Sequence, residues 1–98
     1  MNLQSLMKQA QSMQKNMLDS KAKIEAMEFT GESELVTVVM SGKKEVKSVK
    51  INAEDLEKDD IEILEDMITL AVNDAISKIN KEINDKMGSQ AGAFGDLF

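Results

Sequence analysis

Cysteine, histidine, tryptophan, tyrosine, arginine and proline are all missing from this chain of 98 residues, and the only aromatics are Phe29, Phe94 and Phe98. Without cysteine there is no disulfide framework and no thiolate nucleophile. Without histidine there is no imidazole for acid–base work near neutral pH, and the two absences together remove the usual zinc ligands. Without arginine the bidentate reading of guanine by a guanidinium is closed. No run approaches the roughly 18 apolar residues of a membrane span. The N-terminus shows no basic segment followed by an apolar core, so the chain is expected in the cytoplasm and off the membrane.

What is present fits one domain, with 42% hydrophobic and 31% charged residues. A fold of this size buries roughly 60 to 65% of its extended surface, which makes association with a second copy a natural further source of burial. Residues 2–28 hold no Gly, Pro or Thr and a single β-branched residue, Ile24, so a helix of about seven turns is predicted there. Leu3, Ala10, Met17 and Ile24 fall at heptad position a, and Leu6, Met13, Ser20 and Met27 at d. Such a helix, about 40 Å long, exceeds what a small sheet needs for cover. Its seam, Leu3, Leu6, Ala10, Met13, Met17 and Ile24, is therefore expected to join two subunits.

The segment ELVTVVMSGKKEVKSVKI, residues 34–51, is rich in β-branched residues and broken by Ser41-Gly42, which predicts a hairpin. A three-residue loop at Ser41–Lys43 would set Met40 opposite Lys44, Val38 opposite Val46 and Val36 opposite Ser48. Val49 and Ile51 then fall out of phase, so a bulge near Lys47-Ser48 or a strand end covered on both sides is expected. Phe29–Ser33 reads as a short third strand, because two strands alone are marginal. A helical turn is expected around Glu54–Glu57. Asp59, with Glu62 three residues on, predicts the cap of a second helix, whose apolar stripe runs Ile61, Leu64, Ile68, Ala71, Ala75, Ile79 and Ile83. Gly88 is expected to end it, leaving residues 89–98 as a disordered tail. The alternative to disorder is that Phe94, Leu97 and Phe98 act as a short docking motif or fold back over an exposed groove. Fold class is α+β.

The net charge of −6 is unevenly spread. Residues 52–66 hold eight carboxylates against Lys58, a net of −7, so the rest of the chain carries +1. The acidic run lacks the alternating loop of a calcium site and reads as helix capping and solubility. No metal, cofactor or catalytic group is expected, since carboxylates alone come without a sugar-binding aromatic surface, and Gly31 and Gly42 are isolated turn residues. Lysines recur on the first helix (Lys8, Lys15, Lys21, Lys23), on the hairpin (Lys43, Lys44, Lys47, Lys50) and on the second helix (Lys78, Lys81). Lys8 and Lys15 occupy heptad position f, away from the seam. Lysine without arginine suits attraction to phosphates better than base reading.

The whole plan resembles the YbaB/EbfC family of bacterial nucleoid-associated proteins. The residues that carry the likeness are Leu64-Glu65-Asp66-Met67-Ile68, Ala71-Val72-Asn73-Asp74-Ala75, and Val46, Val49 and Ile51 after the turn at Gly42; it spans residues 1–88. The family's glycine cluster before the second strand is replaced here by Gly31-Glu32-Ser33-Glu34-Leu35-Val36. The resemblance implies an α-β-β-β-α subunit, a tweezer-like homodimer, and binding to double-stranded DNA with modest sequence preference. The expected phosphate contacts are Lys8, Lys15, Lys21, Lys23, Lys43, Lys44, Lys47, Lys78 and Lys81, in a protein of the cytoplasm and nucleoid. The competing reading is a non-enzymatic dimeric module that binds protein partners through the acidic run or the tail.

Overall fold

The computed structural model describes residues 2–87, so Gly88 and the expected tail lie outside the described residues. Elements follow in the order α1 (Leu3–Glu25), β1 (Glu28–Glu32), β2 (Val36–Ser41), β3 (Val46–Ile51), a single 3₁₀ turn (Lys58–Asp60) and α2 (Ile61–Met87). The three strands form one antiparallel sheet in the order β1-β2-β3. The α-β-β-β-α plan is the one expected, with two long helices on a small sheet.

Asn2 caps α1 by accepting a hydrogen bond from the Gln4 N–H at 3.0 Å. The helix stops short of residue 28, because Glu28 is already paired with Ser41 in the sheet. β1 accordingly runs one residue earlier than expected.

Hairpin register differs from the sequence expectation. The turn residues are Gly42, Lys43 and Lys44, closed by the Ser41 N–H donating to the Glu45 carbonyl at 2.9 Å. Lys44 takes a left-handed φ of 66°, the position glycine usually fills in such a loop. Met40 therefore faces Val46, Val38 faces Val49 and Val36 faces Ile51. Pairing steps from Val46 to Ser48 across Met40 and Val39, so Lys47 is the extra residue and the bulge falls where it was expected. Hydrophobic phase decides the matter: this register puts Val46, Val49 and Ile51 on the same sheet face as Met40, Val38 and Val36, whereas the expected one strands Val49 and Ile51 on the other.

The cap of α2 also differs. The segment Glu54–Glu57 forms no helical turn. The Glu57 N–H donates to the Asp60 carboxylate at 3.0 Å, so the N-terminal box sits ahead of the 3₁₀ turn, two residues before the expected Asp59–Glu62 pair. Ala71, Ala75, Ile79 and Ile83 are buried as the stripe predicts, while Leu64 and Ile68 are half-buried and Ile61 is exposed.

The core has two connected parts. Val36, Val38 and Ala71 pack under Leu64, Met67 and Ile68 where α2 crosses the sheet. Met17, Ile24, Phe29, Met40, Ala75, Ile79 and Ile83 pack where α1 runs back along the end of α2. Two glycines set these distances. A Cβ on Gly31 would lie 2.1 Å from the Ala71 carbonyl, and one on Gly42 1.8 Å from the Ile24 carbonyl. Neither is needed for a left-handed turn; both let backbone approach backbone. Overlap between the helices is confined to the last turns of each, so the subunit is a rod of 70 × 19 × 16 Å with the first turns of α1 projecting from one end.

Candidate nucleic-acid interface

The projecting arm is the most distinctive surface. Between Leu3 and Leu18 the helix carries Lys8 and Lys15 and no carboxylate. Met17 and Ile24 turn inward, and Lys8 and Lys15, nine and two residues before Met17, fall on the opposite side of the helix. They lie about 10 Å apart along its axis, both exposed, and neither enters an ion pair among the described residues. Two unneutralised ammonium groups on a solvated helix attract phosphate oxygens without recognising a base.

Other expected cations divide into free and engaged. Lys21 approaches the Glu25 carboxylate at 4.0 Å and Lys47 meets the Glu28 carboxylate at 3.0 Å. Lys78 sits 3.3 Å from Asp74 and donates to the Thr30 carbonyl at 2.6 Å. Lys23 lines a shallow depression with Ser20, Ile24, Met27, Glu82 and Lys86, between the two helices. Lys43, Lys44 and Lys81 are exposed and enter no ion pair among the described residues. The engaged lysines are tied to this chain's own carboxylates, which lowers what they offer a phosphate.

The Asp74–Lys78 pair has a structural task that the sequence did not disclose. Asp74 accepts from the Glu32 N–H at 2.9 Å, and with Lys78 on the Thr30 carbonyl, side chains of α2 occupy the outward main-chain groups of β1. The Glu32 N–H, followed by the hydrogen bond and charge of Lys78, holds the Asp74 carboxyl below its ordinary value of 3.8. In the sequence the two residues share only an i, i+4 spacing, which does not point to β1. Next to them, Ser33 donates through Oγ to the Met67 carbonyl at 2.8 Å, fastening to α2 the stretch that stands in place of the family's glycines.

The expected seam is split. Met17 and Ile24 are buried inside the subunit, whereas Leu3, Leu6, Ala10 and Met13 remain exposed. Among the described residues no three His, Cys, Asp or Glu side chains are grouped to hold a metal ion, and no helix is long and apolar enough to cross a membrane.

Comparison with known proteins gives this rod a lineage. The profile of the YbaB/EbfC DNA-binding family matches residues 1–94. The chain belongs to that family. It is 48% identical over 90 residues to a nucleoid-associated protein of Lactococcus lactis subsp. cremoris, covering 90% of this chain and 91% of that protein. It is 43% identical over 94 residues to one of Streptococcus agalactiae and 40% identical over 94 residues to one of Streptococcus suis. Each of these alignments covers 94% of this chain and 95% of the relative. YbaB/EbfC membership thus rests on the helices and the sheet together, since the matches run from the projecting arm through α2.

Proposed function

We propose that this protein is a bacterial nucleoid-associated protein that binds duplex DNA as a homodimer in the cytoplasm, mainly through phosphates and with little sequence preference. The observation that carries the reading is the family match over residues 1–94. The carboxylate-free arm with Lys8 and Lys15 on its outer side supports it physically, and doubling that arm by symmetry strengthens an attraction that one arm makes weakly. Lys21, Lys47 and Lys78 contribute less, because each already faces a carboxylate. Lys23, Lys43, Lys44 and Lys81 are exposed cations open to DNA or to a partner subunit. No step of this reading requires catalysis or a cofactor.

A dimer carries −12, twice the −6 of one chain, so binding must be local and sensitive to salt. Each phosphate neutralised releases counterions, and the logarithm of affinity falls by about 0.9 per contact for each tenfold rise in salt. Roughly two to five contacts are expected, giving weak binding at physiological ionic strength. Fluorescence anisotropy of labelled duplexes between about 25 and 200 mM salt measures that slope. Saturable binding at the low end, similar for unrelated duplexes, is the expected result. A dimer that fails to bind any duplex there would shift the reading to a protein-interaction module using the acidic run.

A further inference from the structure

The face of α1 that packs on α2 continues past the point where α2 ends. Met17 and Ile24 are buried in the cluster that holds Ile79 and Ile83. Met13, Ala10, Leu6 and Leu3 lie four, seven, eleven and fourteen residues before Met17, a spacing that keeps them on the same side of the helix. Yet Leu3 is 72%, Leu6 43% and Met13 53% exposed. An apolar strip about 15 Å long therefore runs along the arm without cover among the described residues.

Chain path and composition identify the occupant. α2 packs on the sheet through Ala71 and on α1 through Ala75, Ile79 and Ile83, so it runs from the sheet towards the arm. It ends at Met87, four residues past Ile83, and the chain leaves it beside the inner end of the strip. Phe94 is seven residues beyond Met87, a reach of up to about 23 Å, which spans the strip. Of the three phenylalanines Phe29 belongs to the core, and Phe94 and Phe98 both fall in residues 88–98 together with Leu97. The single charged residue of that segment is Asp96, whereas the arm carries Lys8 and Lys15 and no carboxylate. A second arm laid on the strip would set cation against cation, while this segment brings the opposite sign. Tethering favours it further, because an attached segment acts at an effective concentration on the order of millimolar.

We infer that the strip from Leu3 to Met13 is the docking surface for the chain's own residues 88–98, seated through Phe94, Leu97 and Phe98. The contact covers the inner side of the arm and leaves Lys8 and Lys15, on its outer side, facing solvent. It stands apart from the proposed function, since neither a duplex nor a partner subunit takes part in it. Being local, it opens before the subunit unfolds and adds little to the melting temperature.

Because the chain has no tryptophan or tyrosine, Phe94→Trp places a single reporter in the full-length protein. Its emission should lie to the blue of the same residue in a free peptide of residues 88–98 and be quenched less by acrylamide. Dilution should leave it unchanged, as a contact within one chain requires. Leu6→Lys with Met13→Lys should return the emission to the peptide's value, while Ser12→Lys, the same charge on the other side of the helix, should leave it shifted. Far-ultraviolet circular dichroism checks folding. Should the double variant unfold, hydrogen exchange gives a second route that leaves the arm's own side chains in place. Phe94→Ser with Leu97→Ser and Phe98→Ser should speed amide exchange at residues 3–13 at least about threefold and leave residues 61–83 at the wild-type rate. Emission equal to the peptide's would overturn the inference. So would a blue shift that survives Leu6→Lys with Met13→Lys in a folded chain, or one lost equally in Ser12→Lys. A shift that vanishes on dilution would assign the strip to another molecule, and arm exchange that ignores the loss of the three side chains would leave residues 88–98 off it; either result defeats the proposal.

Discussion

Gly31 and Asp74 fix α2 on the sheet from two sides. At Gly31 the constraint is steric. Alanine there would put its Cβ 2.1 Å from the Ala71 carbonyl and 2.5 Å from the Ala75 nitrogen, backbone atoms that cannot rotate away. Gly31→Ala is expected to cost about 3 kcal/mol, measured by urea unfolding, because α2 must lift off the sheet to admit one methyl. A loss under about 0.5 kcal/mol would mean that the helix rides higher above the strand. At Asp74 the constraint is electrostatic. The Glu32 N–H and Lys78 lower its folded pKa below 3.8, so its contribution is complete above the unfolded value and disappears as pH falls through the depressed one. Asp74→Asn should therefore lower the melting temperature near neutrality and flatten the acid limb of its plot against pH, the two proteins converging as pH falls below the depressed value. Parallel acid limbs for variant and wild type would contradict that role.

At the scale of elements, α1 is two things in sequence: a packed helix from Met17 onward and an arm before it. Its heptad pattern is continuous through both, so periodicity alone cannot say where the core ends. Met17 is 8% exposed against Ile79 and Ile83, whereas Met13 is 53% exposed. Met17→Lys should accordingly destabilise the subunit by at least about 3 kcal/mol, while Met13→Lys should leave its melting temperature nearly unchanged. Equal effects at the two positions would mean that the arm is packed along its whole length. The hairpin shows the converse case. Its strands and its bulge were legible from β-branched residues and from the phase slip before Val49, but its register was not, because a left-handed lysine at residue 44 carries no signal comparable to a glycine there. Capping of α2 was ambiguous for a similar reason, since several carboxylates in the run at 54–62 satisfy the same rule.

The molecule as a whole separates its charges along its length. Lysines dominate the arm, and carboxylates gather around the start of α2 at the far end of the rod. Changing Lys8 and Lys15 together to Gln, which keeps helix propensity, should lower the salt slope of duplex binding by about 0.9 for each phosphate that is no longer neutralised, and should weaken unrelated duplexes alike. An unchanged slope would move the DNA contacts off the arm. Substituting Glu62 and Asp66, which enter no ion pair among the described residues, with Gln and Asn should preserve or strengthen the same binding by reducing long-range repulsion.

Composition and periodicity by themselves determined the order of the helices and strands and the buried run Ala71, Ala75, Ile79 and Ile83 of α2. Those properties depend on which side chains exist and on spacings local to one element. The membership of the family was also legible, through short runs such as Leu64–Ile68 and Ala71–Ala75 that lie in one helix. What only the tertiary structure decided involves residues distant in the chain. It set the hairpin register, engaged Lys78 on β1, buried Met17 and Ile24 of the expected seam and left β3 uncovered. Each of these depends on contacts between elements, namely hydrophobic phase across the hairpin, α1 packed along the end of α2, and α2 held close over β1 at Gly31, and no pattern within a single element encodes them.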